Sequence, residues 1–301
     1  MSAPWQRQPP HTALPNIEHT RQHDAPEPDM TTINTNTSAL ITQLAMKRNE
    51  RATTKAMEQL STGKRINRAA DDAAGAAVVV KMNGTIKGLE QVSRNANDAI
   101  SMSETADGAL GEITNILQRM RELAVQAANA TAANRDLTDV EFQGLKTELN
   151  RMAQTTELND IKLLDGSTPD GFVFQVGTRK GQTITIRLPD FTFNGKMSGV
   201  ATLGTTTAEN ASAAITGIDQ ALDNVIASRA DVGATISRLR TTVNNLDSIR
   251  LNSLAARSRI LDADYAAAST EVARTQIIQQ AATAILAQAN ATQQSVLKML
   301  Q

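Results

Sequence analysis

Two carboxylate pairs are the residues of this chain that come nearest to a chemical site. Asp71 and Asp72 are adjacent, and Asp262 and Asp264 are separated by one residue. Such pairs bind divalent cations or serve as general acid and base, but neither pair has the oxygen-rich loop spacing of a calcium site. Acidic residues also favour the positive end of a helix dipole. We therefore interpret both pairs as helix-end charges and predict no metal site.

Other catalytic residue types are scarce. Cysteine is absent and all three histidines lie in the first 29 residues, so the body of the chain lacks the usual proton-transfer group and any thiolate. The patterns H-E-x-x-H and G-x-S-x-G do not occur. We predict a protein that is not an enzyme and that has no catalytic residue and no cofactor.

Charge and hydropathy exclude two further classes of protein. The 30 basic and 31 acidic side chains give a net charge of -1, which argues against nucleic-acid binding because binders carry a basic patch or stripe. The sequence has no apolar run of about 18 residues, so we expect no membrane insertion.

Residues 1–29 differ in composition from the rest of the chain. They hold the single tryptophan, the three histidines and six of the eight prolines, without helical or strand periodicity. This composition is typical of a disordered head, and a binding arm is an alternative. A mis-assigned start upstream of Met30 is the interpretation that we favour, because the composition changes abruptly at that methionine.

The body of the chain is predicted to be mainly α-helical. Proline is absent between Met30 and Thr168 and again between Asp190 and Gln301, so both stretches lack the strongest helix breaker. Gly63 is expected to interrupt the first helix. Apolar or small residues recur at alternating spacings of three and four at positions 86, 89, 93, 96, 100 and 103, and Leu110 and Leu117 continue this stripe. The same alternation recurs at 222, 225, 229, 232, 236, 239, 243 and 246, where Arg229 is the one residue that is not apolar. Such spacing is typical of a coiled coil.

Both ends of the body carry apolar stripes of the same kind. Such stripes can be buried against each other or against neighbouring copies, and a copy-to-copy contact that does not close produces an open helical filament. We expect subunit–subunit packing at Ile33, Leu40, Leu44, Leu60, Ile278, Ile285, Ala289, Val296 and Leu300.

The centre of the chain is predicted to hold a β-hairpin at about 172–188. Two alternating segments, 172–176 and 183–188, flank a loop at 177–181 that begins and ends with glycine. A short, turn-rich excursion follows at 189–209. The predicted fold is therefore mainly α, a long coiled-coil-like helical bundle formed by the N- and C-terminal segments with a small central β-hairpin region.

Ten short strings, in consistent order from about Thr32 to Gln301, resemble bacterial flagellin. They are INTN at 33–36, LSTGKRIN at 60–67, DDAAG at 71–75, IKGL at 86–89, SRNAND at 93–98, RMRELAVQ at 119–126, AARSRI at 255–260, DY at 264–265, QQA at 279–281 and LAQAN at 286–290. The resemblance is to a compact form that lacks large central variable domains.

The resemblance implies a structural subunit that polymerises into the extracellular flagellar filament for swimming motility. Residues 30–71 and 262–301 would form an inner-tube helical domain, and residues 72–261 an outer-tube helical domain. The chain would leave the cell by type III export without a cleaved signal peptide. Its expected partners are further copies of itself in a homo-polymer, an export chaperone that binds about 262–301, and the flagellar cap and hook-associated proteins.

The resemblance also implies contacts with the vertebrate Toll-like receptor for flagellin at Arg119, Leu123, Gln126 and Glu141. For Leu123, packing between subunits is the competing interpretation. Two other functions remain open at this point: a hook–filament junction protein, which shares the terminal-helix plan, and a cell-surface carbohydrate-binding homologue, which the small number of aromatic residues disfavours.

Overall fold

The computed structural model describes residues 35–129 and 131–299. The head at 1–29, Ile33 and Leu300 lie outside the described residues. The described chain forms long helices with two small strand pairs, which confirms the mainly α prediction. The helices are α1 (Thr37–Thr62), α2 (Ala73–Asn129), α3 (Ala132–Thr155), α4 (Ser198–Ala201), α5 (Ala208–Leu261) and α6 (Tyr265–Met299), and the strands are β1 (Glu157–Leu158), β2 (Ile161–Lys162), β3 (Phe172–Gln175) and β4 (Thr183–Ile186).

The described residues divide into two compact units. Residues 35–56 and 270–299 make the first, and residues 57–269 make the second. The limits of these units fall inside α1 and α6. The inner-tube and outer-tube limits near 71 and 262 come from the resemblance alone and stay a prediction.

The second unit is built on an antiparallel pairing of α2 with α5. Four ion pairs show the direction, because their α5 members advance along the chain as their α2 members go back: Asp219 with Arg121, Arg229 with Asp107, Arg240 with Glu104 and Arg250 with Glu90. All of these side chains are partly exposed, so the pairs contribute little to stability. Apolar burial along the two helices provides the stabilisation.

The predicted apolar stripes form this buried face. Leu110, Leu117, Val225 and Leu239 are fully buried, and α3 adds Phe142 and Leu149 to the same core. Apart from Arg229, which is exposed and pairs with Asp107, the remaining positions of the two stripes are buried or half-buried. The coiled-coil prediction for the two long helices is thus confirmed.

The central hairpin is also confirmed. Strands β3 and β4 are antiparallel, with Phe172 opposite Ile186 and Gln175 opposite Thr183. Val176 donates its amide to the carbonyl oxygen of Gln182 at 2.9 Å and closes the loop. Ile184 and Ile186 turn into the core, so the hairpin is held on the helices by its apolar face.

A second antiparallel pair, β1 with β2, was not predicted. Its two-residue turn consists of Asn159 and Asp160, both with positive φ, 52° and 64°. Asparagine and aspartate tolerate this left-handed conformation, which two-residue hairpin turns of type I′ require. The signal was present in the sequence, but strands of two residues have no periodicity to detect.

The excursion after the hairpin packs against α3. Lys146 donates its ammonium group to the carbonyl oxygens of Ala201 at 3.1 Å and Leu203 at 3.0 Å, and its partial burial lowers the pKa of its amine. Asp139 accepts a 2.6 Å hydrogen bond from the amide of Thr205. The excursion predicted at 189–209 contains the one-turn helix α4, and α5 begins just before its predicted end, at Ala208.

Leu117→Ala and Leu137→Ala form a matched pair that tests this core. Leu117 is fully buried in α2, whereas Leu137 on α3 is 73% exposed. Because the first change leaves a cavity, we expect it to lower the free energy of unfolding of the second unit by about 2–5 kcal/mol. The second should change it by less than about 0.5 kcal/mol. Denaturant titration of the two variants checks the difference, and equal effects would contradict the assigned core.

Candidate assembly interface

One member of each carboxylate pair caps the start of a helix. Asp72 accepts a hydrogen bond from the amide of Gly75 at 2.8 Å, at the start of α2. Asp264 accepts from the amides of Ala266 at 2.9 Å and Ala267 at 3.2 Å, at the start of α6. Residues 35–129 and 131–299 contain no cluster of three potential metal ligands. The interpretation as helix-end charges is confirmed for Asp72 and Asp264.

The loops that follow α1 and α5 are hydrogen-bonded to each other. Gly63 has a φ of +67°, ends α1 as predicted, and accepts from the amide of Ala263 at 2.9 Å. The amide of Arg65 donates to the carbonyl oxygen of Leu261 at 2.7 Å, and its guanidinium donates to that of Ile260 at 2.8 Å. This short ladder joins two segments that are about 200 positions apart in the sequence.

In the first unit, α1 and α6 are joined through small and polar side chains. Among the described side chains of this unit, the buried ones are Ala39, Asn49, Ala56, Thr275 and Ala282. The amide group of Asn49 donates to the carbonyl oxygen of Thr275 at 2.7 Å and to the side-chain oxygen of Gln279 at 3.0 Å.

The large apolar side chains of the same unit face outward. Leu40, Leu44, Ile278 and Ile285, four of the residues predicted to pack between subunits, are 38–60% exposed. Ala289 is half-buried on α6, and Leu60 is half-buried on the part of α1 that belongs to the second unit. Val296 lies near the end of α6. The two helices therefore expose apolar residues that an isolated folded unit would ordinarily bury.

A groove runs beside these exposed residues. It has a volume of about 560 Å³ and is lined by residues of both helices. The lining residues are Ile41, Leu44, Ala45, Arg48, Asn49, Ala52, Arg274 and Ile278. The groove is thus lined by apolar side chains together with two arginines, Arg48 and Arg274.

None of the described helices combines the length and the hydropathy needed to cross a bilayer.

The surface formed by α2 and α3 carries the predicted receptor residues. Arg119 donates to Glu141 at 2.8 Å and to Glu122 at 3.0 Å, and these hydrogen bonds, the one to Glu141 first, raise the pKa of the Arg119 guanidinium. Gln126 is exposed on the same helix. The structure brings Arg119 and Glu141 into direct contact, although they are 22 residues apart in the chain.

The expectation for Leu123 needs correction. Its side chain is only 2% exposed and packs in the core of the second unit. It cannot contact a receptor in this conformation, and it is equally unavailable for packing between subunits. The sequence pattern alone does not predict what covers Leu123, because a stripe on a helix shows which residues share a face but not which neighbour packs on it.

Two family models match the chain. One, described as the bacterial flagellin N-terminal helical region, matches residues 33–168, and the other, described as the bacterial flagellin C-terminal helical region, matches residues 215–300. Together they cover more than half of the sequence. The chain belongs to the bacterial flagellin family.

Similar proteins agree with this assignment over nearly their whole length. Flagellin of Halalkalibacterium halodurans is 47% identical over 249 residues, which are 82% of this chain and 91% of that protein. Flagellin of Bacillus subtilis is 39% identical over 301 aligned positions, covering 89% of this chain and 99% of its own. A solved structure from Vibrio parahaemolyticus, described as a flagellar hook-associated protein, matches with a TM-score of 0.55 over 64% of this chain and 100% of its own. At 14% identity the latter shows the fold alone.

This flagellin is a structural subunit of the flagellar filament. The chemistry of the described residues fits that role. Asp72 and Asp264 cap helices, Arg65 and Arg68 pair with neighbouring acids, and the long helices expose some apolar side chains. Both units expose some large apolar side chains, and in the first unit they lie beside a buried face that is made of small and polar residues.

Proposed function

We propose that α1 and α6 are the polymerising part of this flagellin and that their exposed apolar side chains are buried by neighbouring copies. The observation that supports this proposal is the inverted arrangement of the first unit, in which alanine and asparagine are buried while leucine and isoleucine are exposed. Full burial of an exposed leucine or isoleucine is worth about 1.5–3 kcal/mol, and since these four side chains are 38–60% exposed, each gains roughly half of that when it is covered. Four such residues per copy provide a strong driving force for assembly.

Geometry favours a filament over a closed oligomer. The exposed residues lie on both helices and along their length, so one copy can contact several neighbours through different surfaces. Contacts between different surfaces that do not close produce a helical polymer. In this proposal residues 30–71 and 262–301 form the inner tube of the filament and residues 72–261 form the outer tube.

Export and partner binding also depend on the exposed apolar residues of α6. The exposed stripe of α6 would promote premature association inside the cell unless another protein covered it. We assign this role to an export chaperone that binds about residues 262–301 before type III export, which proceeds without a cleaved signal peptide. The flagellar cap and hook-associated proteins would meet the ends of the same helical array.

Charged substitutions on the exposed face test the polymerisation proposal. We expect Leu44→Asp combined with Ile278→Asp to abolish sedimentable filaments in seeded, salted-out preparations, because two charges would have to be desolvated at every contact. Circular dichroism should still show the helices of the second unit. The matched control is Gln43→Asp with Gln276→Asp, which adds the same charge at exposed polar positions. Filaments of normal yield from the first variant would contradict the proposal.

Deletion of residues 262–301 tests the two roles of the C-terminal segment together. The truncated chain should neither polymerise nor bind the export chaperone, since both functions need the apolar face of α6. Electron microscopy and co-purification are the measurements. Filaments of normal length, or undiminished chaperone binding, would refute the corresponding role.

A receptor proposal concerns the exposed residues Arg119, Gln126 and Glu141. Arg119→Ala should reduce Toll-like receptor signalling in reporter cells, because it removes a cation and releases its partner Glu141. Arg151→Ala is a suitable control, as Arg151 also pairs with a glutamate on the surface of the second unit but lies away from this cluster in sequence. An unchanged signal for Arg119→Ala would count against the proposal.

A further inference from the structure

The apolar residues buried between α1 and α6 do not by themselves select one alignment of the two helices. Its alanines, Ala39, Ala56 and Ala282, are small and interchangeable. Large side chains that interlock make one alignment much better than the others, whereas alanines provide little such discrimination. Because α6 has alanine at both 282 and 289, a shift of seven residues replaces one alanine by another. Something other than apolar packing must select the observed alignment.

Two asparagines make directional contacts across this face. Asn36 donates to the carbonyl oxygen of Ala289 at 3.1 Å, and Asn49 donates to that of Thr275 at 2.7 Å. The contacts are 13 residues apart on α1 and 14 residues apart on α6. Both spacings correspond to about 20 Å of helix, so the two contacts belong to one continuous antiparallel register.

The second hydrogen bond of Asn49 distinguishes this register from its neighbours. Asn49 also donates to the side-chain oxygen of Gln279 at 3.0 Å. Backbone carbonyl groups recur at every residue, but a side-chain acceptor does not. A shift of α6 by seven residues in either direction would place Leu286 or Val272 where Gln279 stands. The amide of Asn49, which is only 8% exposed, would then lose its side-chain partner, and an unpaired buried donor is costly.

We propose that Asn49, supported by Asn36, fixes the register in which α1 pairs with α6, and that Asn49 is thereby a specificity-determining residue of assembly. A single buried asparagine is an established way to specify alignment in coiled coils at some expense in stability. The proposal rests on the proposed function, because the register decides where Leu44 and Ile278 stand relative to each other on the outward face. Copies with a shifted register would present a different surface to their neighbours.

The absence of cysteine from the chain makes a disulfide assay of the register straightforward. Ala39→Cys with Leu286→Cys places thiols level in the observed register, three residues inward from the contact of Asn36 with Ala289 on each helix. Met46→Cys with Leu286→Cys becomes level only after a shift of seven residues. In the observed register that second pair is displaced by about 10 Å along the helix, beyond the reach of a disulfide.

Each cysteine pair is made in full-length protein with Asn49, with Asn49→Leu and with the control Glu50→Leu, which adds the same apolar group at the adjacent exposed position. After oxidation in assembly buffer, non-reducing gels and mass analysis quantify the cross-link within single chains. With Asn49 or Glu50→Leu we expect the level pair to exceed the displaced pair by about tenfold or more. With Asn49→Leu the two yields should come within about threefold of each other.

Gln279→Leu is a second test that leaves Asn49 in place, and it should reduce the selectivity in the same way. Selectivity that stays tenfold in both variants would overturn the register proposal, as would a level pair that fails to cross-link with Asn49 present. Filament yield is measured by sedimentation on the same samples. Lack of filaments from a parent that cross-links selectively would count against the proposed polymerisation by α1 and α6 and would leave the register assignment standing.

Discussion

The structure depends on one constraint: the large apolar residues of α1 and α6 have no cover within their own unit. The face that the two helices share is filled by alanine, asparagine and threonine, which bury little surface. Leucine and isoleucine lie on the other side, in contact with solvent. Most of the stability of a protein helix comes from packing of its apolar face, so in the proposed function this unit is stabilised further when other copies cover that face.

The second unit has the opposite character. Its helices α2, α3 and α5 bury a continuous apolar core, and residues of the hairpin and of the segment 189–205 pack against that core. The surface ion pairs between α2 and α5 follow the alignment that this core sets. A self-sufficient unit joined to an incomplete one suits a subunit that must remain soluble as a single chain and still associate strongly in a filament. In the proposed function, the residues that drive association are thereby concentrated in the first unit, at 35–56 and 270–299.

Much of this could be predicted from the sequence, and the exceptions have physical reasons. The stripes through Leu110 and Leu239 indicated two coiled-coil helices, since a repeat of three and four residues is typical of them, but not that these two pair with each other. The alternation around 172–188 indicated the hairpin. Strands β1 and β2 were missed because two residues carry no period. The receptor role of Leu123 came from the resemblance alone, and only the coordinates show that this side chain is buried in the core. The role of Asn49 needed coordinates, because a polar residue within a stripe gives no hint of its acceptor.

Amide hydrogen exchange, compared between the single chain and the assembled filament, tests the central claim most directly. The account predicts rapid exchange in the single chain for residues 37–56 and 270–299, with strong protection of the same amides in the filament. Residues of the α2–α5 core should be protected in both states. Full protection of α1 and α6 in the single chain, unchanged on assembly, would show that these helices are already complete alone and would contradict the account.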